Sequence, residues 1–174
     1  IDDKTKGTAN AILTVRDCQK DESGCVSEVD GDSNAFCGMS ADFDPYQGSH
    51  AITVSNTQEL HLDDYYTIEA RVFLRDYVRG GIIVDKYSGS GRGREYRLSV
   101  GKDGLLRGWF SIDGTLANSR VLYSDYPVPK NQWVHVTSTN EEGLMRLFID
   151  GQLVAEKEYN ARPAQLGYQN IAIG

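Results

Sequence analysis

An all-β fold, a sandwich or a barrel, is predicted for this chain by three observations. Apolar and polar residues alternate over short runs, turn signals separate those runs at close intervals, and no amphipathic helical pattern of ten residues or more occurs. The composition agrees, with 18 Gly and 10 Tyr favouring turns and strands.

The clearest elements lie between Asn131 and Tyr159 and read as a three-stranded meander. Trp133, His135, Thr137 and Thr139 alternate with Val134, Val136 and Ser138, which places the two sets on opposite faces of a sheet. Asn140-Glu141-Glu142-Gly143 reverses the chain, and Leu144 to Ile149 is a second strand whose nearly continuous apolar run suits cover on both faces. Asp150-Gly151 is a two-residue hairpin signal, because glycine accepts positive φ freely and aspartate tolerates it. Gln152 to Tyr159 returns as the third strand.

Upstream, Ile1 to Gly7 is charged and polar, and Ala11 to Val15 is a short edge strand. Asp17 to Ser40 reads as a long loop stapled by a disulfide. Ala51 to Val54 is the next strand, and Asn56 to Asp64 is a turn-rich link. Along Tyr65 to Leu74, the residues Tyr66, Ile68, Ala70, Val72 and Leu74 form one face. Gly80-Gly81 interrupts the pattern, Ile82 to Val84 resumes it, and Ser88 to Arg94 is a glycine-rich hairpin tip. Tyr96 to Val100 returns. Asp103-Gly104 and Asp113-Gly114 mark hairpins around Leu105 to Ile112, and Val121 to Tyr123 precedes the meander.

At 174 residues the chain is large enough for one domain with a substantial core. A formal charge of −7 argues against nucleic acid or an anionic membrane as partner, and fits cation binding or simple solubility. No apolar run reaches the ~18 residues of a membrane span. The first residue is Ile1, with no charged and apolar leader after it, the expected mark of a processed end or of a cut in a longer chain. Cys18, Cys25 and Cys37 lack zinc-finger spacing, so a secreted disulfide is expected, either Cys18 with Cys25 or one of them with Cys37. The third thiol stays buried, pairs with a segment beyond Gly174, or bridges to another chain.

The order of segments carries a resemblance. Ala41-Asp42-Phe43-Asp44, Ala51 to Val54, Tyr66 to Val72, Gly81 to Lys86, Tyr96 to Val100, Gln132 to Val136, Leu147 to Gly151 and Asn170 to Gly174 together resemble the laminin-G-like domains of the concanavalin A-like lectin/glucanase superfamily. The resemblance covers residues 41–174 and implies a two-sheet antiparallel jelly roll, usually an extracellular binding or adhesion module. Residues 1–40 are then an N-terminal extension carrying the edge strand and the cysteine loop. In that family a further long strand follows the final Ile-Gly, so the expectation is that the sequence is incomplete or that another segment takes that place.

Glucanases of the superfamily arrange catalytic carboxylates as Glu-x-Asp-x-x-Glu on a strand. The nearest run here, Glu28 to Ser33, ends in serine and lies in the cysteine loop, and the three histidines accompany no Gly-x-Ser-x-Gly elbow. No catalytic residue is therefore assigned. His135 is read as a packed or hydrogen-bonded structural residue.

Calcium is the candidate cofactor, since Ca²⁺ takes six to eight oxygens and relatives hold it in loops at one edge of the sandwich. Asp30, Asp32 and Asn34 have the spacing of the start of a calcium loop, but Ala35 and Ala41 stand where that motif needs Gly and Glu. Asp42 and Asp44, or Asp63 and Asp64, are the other candidate ligands.

Lys86, Arg92, Arg94 and Arg97 gather about the glycine-rich tip, where the resemblance implies contact with sulphated glycans. Tyr87, Arg92, Arg94 and Tyr96 are the candidate ligand contacts. The leading expectation is a non-catalytic extracellular recognition or adhesion module for a glycan or a glycosylated surface. Two alternatives are a self-associating filament subunit completed by strand exchange with a neighbour and an accessory domain of a secreted hydrolase.

Overall fold

The structure is a computed structural model, and it describes residues 43, 51–89, 91–165 and 168–174. Among the described residues, contacts group Ile52–Gly174 into one compact unit, and every strand belongs to it. The cysteines, the strand expected at 11–15, the expected boundary at residue 41 and the calcium candidates Asp30, Asp32, Asn34, Asp42 and Asp44 lie outside the described residues.

Among the described residues ten strands succeed one another: β1 (Ile52–Val54), β2 (Tyr65–Phe73), β3 (Gly81–Lys86), β4 (Tyr96–Val100), β5 (Leu105–Ser111), β6 (Ser119–Pro127), β7 (Trp133–Glu141), β8 (Leu144–Ile149), β9 (Gln152–Glu158) and β10 (Ile171–Ile173), with one 3₁₀ turn at Gln58–Leu60. They build two antiparallel sheets, a six-stranded one ordered β1-β10-β3-β4-β5-β6 and a four-stranded one ordered β2-β7-β8-β9. The expected meander is β7 to β9. Both of its turns take the positive-φ pair that matches strand twist, Glu142 (50°) with Gly143 (94°), and Asp150 (49°) with Gly151 (76°).

Inward-facing residues of the two sheets meet in one core. Leu98, Leu106, Phe110, Val134, Val136 and Leu147 are fully buried, each stabilising the fold by roughly 1.5–3 kcal/mol. The sheets approach closely at Gly108, where a Cβ would lie 2.8 Å from Met145 Cε and 2.9 Å from Ser138 Oγ. β10 is not a sheet edge, because it pairs with β1 on one side and β3 on the other. Along β8 only Met145, Leu147 and Ile149 are buried, while Leu144, Arg146 and Phe148 are partly covered, so the continuous apolar run still obeys a period of two.

Beneath the β3–β4 hairpin lies a charged cluster. Lys86 and Glu95 have no solvent-exposed side-chain surface, and Lys86 Nζ donates to Glu95 Oε1 at 2.7 Å. His61 Nδ1 sits 3.0 Å from Glu95 Oε2. This tethers the 3₁₀ segment to the hairpin, as does the Tyr96 hydroxyl, which donates to the Leu60 carbonyl at 3.0 Å.

Candidate functional site

The outer face of the six-stranded sheet gathers chemistry that is dispersed in the sequence. Register places Thr53, Ala172, Asp85, Arg97, Trp109 and Val121 in one row across all six strands. A second row holds Ile82, Ser99, Arg107 and Tyr123. With strands about 4.8 Å apart, Asp85 and Trp109 stand about 10 Å apart, a span suited to a small ligand lying across the strands.

The centre of the array is a stack. Arg97 donates through Nη2 and Nε to Asp85 Oδ2, at 2.7 and 3.1 Å, and its guanidinium lies 4.0 Å from the Tyr87 ring centroid. Tyr87 meets Trp109 edge to face, with centroids 5.5 Å apart and planes at 63°. Arg94 approaches the same tyrosine at 5.2 Å and closes the hairpin tip, donating to the Gly89 and Gly91 carbonyls at 2.7 Å each. Tyr87, Arg97 and Trp109 are all half-buried, so each keeps some surface open to solvent.

Electrostatics around the stack are closely balanced. Burial pushes the Asp85 carboxyl above its ordinary range, against the pull of Arg97. At the far end of the sheet Arg107 pairs with Asp103 at 2.8 Å, and Asp103 is held low, chiefly by the Leu105 N–H. Asp113 is lowered to about 2 by the Thr115 hydroxyl, the Asn118 side chain and the Thr115 N–H, which fixes the β5–β6 loop beside the tip. Gly114 in that loop packs directly on the Arg92 backbone.

The sequence matches the Laminin_G_3 family, concanavalin A-like lectin/glucanases superfamily, over residues 46–174. The chain belongs to that family. No curated protein matches the sequence. Among solved structures, laminin G-like domains LG4-5 of the mouse laminin α1 chain are similar at 12% identity and a TM-score of 0.54, over 71% of this chain and 31% of that one. A protein of Bacteroides ovatus ATCC 8483, provisionally classed as carbohydrate-binding, is similar at 16% identity and a TM-score of 0.50, over 71% of this chain and 34% of that one. The chain thus spans about a third of the length of either. These likenesses show the fold, a laminin G-like sandwich.

Within this sandwich the expected contact residues separate. Tyr87 and Arg94 belong to the array. Tyr96 does not, because it alternates with Arg97 and therefore points inward, where it is only 3% exposed. Arg92 is exposed at the tip. The basic cluster expected there is also corrected, since Lys86 is buried against Glu95. Trp109 and Asp85 complete the array without having been singled out in the sequence; the available signal was their outward parity in β5 and β3. His135 faces outward on β7, 3.4 Å from Glu69. Asp63 and Asp64 both face Arg162, at 3.4 and 3.5 Å, so these carboxylates already have a cation. Among the described residues no group of three or more His, Cys, Asp or Glu is placed to hold a metal ion, and no helix is long and apolar enough to cross a membrane.

Proposed function

We propose that this laminin G-like domain is a non-catalytic, extracellular recognition module that binds a glycan on the outer face of its six-stranded sheet. The observation that carries this reading is the stack of Asp85, Arg97, Tyr87 and Trp109. Aromatic rings offer apolar surface to the C–H faces of a sugar, while the half-buried Arg97 guanidinium, held in place by the buried Asp85 carboxylate, offers donors to its hydroxyls. Pockets for small ligands combine such surfaces with a few convergent polar groups. The disulfide expected among Cys18, Cys25 and Cys37, and calcium bound by the 30–44 segment, accord with a secreted adhesion domain and are part of the proposal.

Self-association by strand exchange has less support. β2 is an edge strand among the described residues, and it carries exposed Glu69 and Arg71, the kind of charge that blunts an edge.

The test is a glycan array probed with the full chain, with and without calcium, followed by the Trp109→Ala variant. Binding that falls at least about tenfold in the variant, the effect of losing about 1.4 kcal/mol, supports the reading. No binding under either condition, or binding by both Trp109→Ala and Tyr87→Ala equal to that of the wild type, overturns it.

A further inference from the structure

Resting on that glycan reading, we infer that the array takes an uncharged saccharide, and that the arginines around it hold the array in shape instead of binding sulphate or carboxylate groups. Four arginines crowd this face, as expected of a site for acidic glycans. Three of them are already engaged by side-chain or backbone partners. Arg97 directs two of its N–H groups to Asp85. Arg107 is paired with Asp103. Arg94 spends both terminal nitrogens on the carbonyls of Gly89 and Gly91. Arg92, exposed at the tip, packs its backbone on Gly114, the neighbour of Asp113. Lys86, the remaining cation of the β3–β4 hairpin, is buried with Glu95 and turned to the other side of the sheet.

The face therefore sets four arginines against Asp85, Asp103 and Asp113, within a chain of net charge −7. Recognition of sulphate or uronate uses an open guanidinium fork. A sulphate approaching Arg97 would instead meet a guanidinium already neutralised by Asp85, whose carboxylate repels it. A neutral sugar meets no such barrier. Its hydroxyls both donate and accept, so they can engage the part of the Arg97 guanidinium that remains exposed while the ring lies on Tyr87 or Trp109. The stacked arginine is already ordered, so little rotamer freedom remains to be lost on binding.

The experiment is calorimetric titration of the full 174-residue chain with two probe sets. One set is neutral oligomers of glucose, xylose, arabinose, galactose, mannose and fructose; the other is heparin and polygalacturonate. The expected result is binding to a neutral oligomer that changes less than about twofold between about 0.05 M and 0.5 M NaCl, because screening acts only on charge. Arg97→Lys, which keeps the charge but loses the planar fork, is expected to weaken that binding about tenfold. Heparin or polygalacturonate binding that falls tenfold or more over the same salt interval, on the order expected for screened charge pairs, overturns the inference and leaves the glycan reading standing. Retention of full affinity by Arg97→Lys also overturns it. If neither probe set binds, the glycan reading itself fails, and the inference with it.

Discussion

Asp150 Oδ1 accepts the His135 backbone N–H at 2.8 Å, while the Asp150 N–H donates to the His135 carbonyl at 2.8 Å. One residue thus turns the β8–β9 hairpin and extends the ladder of β7. Its φ of 49° is a region that aspartate and asparagine tolerate better than other non-glycine residues. Asp150→Ala is expected to lose about 1–2 kcal/mol through the unpaired N–H and the strained backbone. Asp150→Asn keeps an acceptor and the tolerance, and should lose less than half as much. Urea denaturation of the two variants checks the order.

Glu95 and Lys86 form an ion pair with no exposed side-chain surface. Removing one partner leaves a buried charge uncompensated, so Glu95→Gln is expected to destabilise the domain by about 3–5 kcal/mol. The double variant Lys86→Met with Glu95→Met replaces both charges by apolar groups of similar length and should recover more than half of the loss. Equal melting temperatures for single and double variants would contradict this account.

Gly114 and Gly151 both have positive φ, at 82° and 76°, but their surroundings differ. A Cβ at Gly151 meets nothing within 4 Å, whereas one at Gly114 overlaps the Arg92 carbonyl. Gly151→Ala is expected to cost about 1 kcal/mol from backbone strain alone. Gly114→Ala should cost at least about 1 kcal/mol more, the typical penalty of overpacking, and should displace the 88–94 tip. Thermal melts, with glycan titration for the second effect, separate the two.

The Asp113 carboxyl is held at about 2 in the fold, against an ordinary value of 3.8. A depressed carboxylate contributes stability that is present above its unfolded value and is lost as pH falls toward the folded one. The wild type should therefore lose stability between about pH 4 and pH 2. Asp113→Ala, less stable at neutral pH, should show a shallower fall across that window in denaturation followed by circular dichroism.

Much of the fold could be read from the sequence because single strands write their parity locally. The meander, Tyr96–Val100 and the two-residue turn at Asp150-Gly151 required only period-two patterns and glycine chemistry, whereas the reversal expected over Asn140 to Gly143 narrows to Glu142-Gly143, Asn140 and Glu141 continuing β7. β6 was harder to bound, since Ser124, Asp125 and Tyr126 mix buried and exposed polar groups. The candidate site was only half legible. Tyr87 and Arg94 stand in a conspicuous glycine-rich tip, whereas Asp85, Arg97 and Trp109 become neighbours only through inter-strand register, which no local pattern encodes. Lys86 and Tyr96 were drawn into the site by proximity in sequence, yet each has the opposite parity to the residues that form it.

The two tryptophans of the chain report on different sheets. Trp109 stands in the stack with Tyr87, and Trp133 packs edge to face on Phe73 of the other sheet, at 5.8 Å. Replacing Trp133 by phenylalanine would leave a single indole emitter, located where a bound sugar would change its solvation. On the proposed glycan reading the domain contains its own fluorescent probe of occupancy, and quenching by acrylamide, with and without an oligosaccharide, would follow binding at that face without any added label.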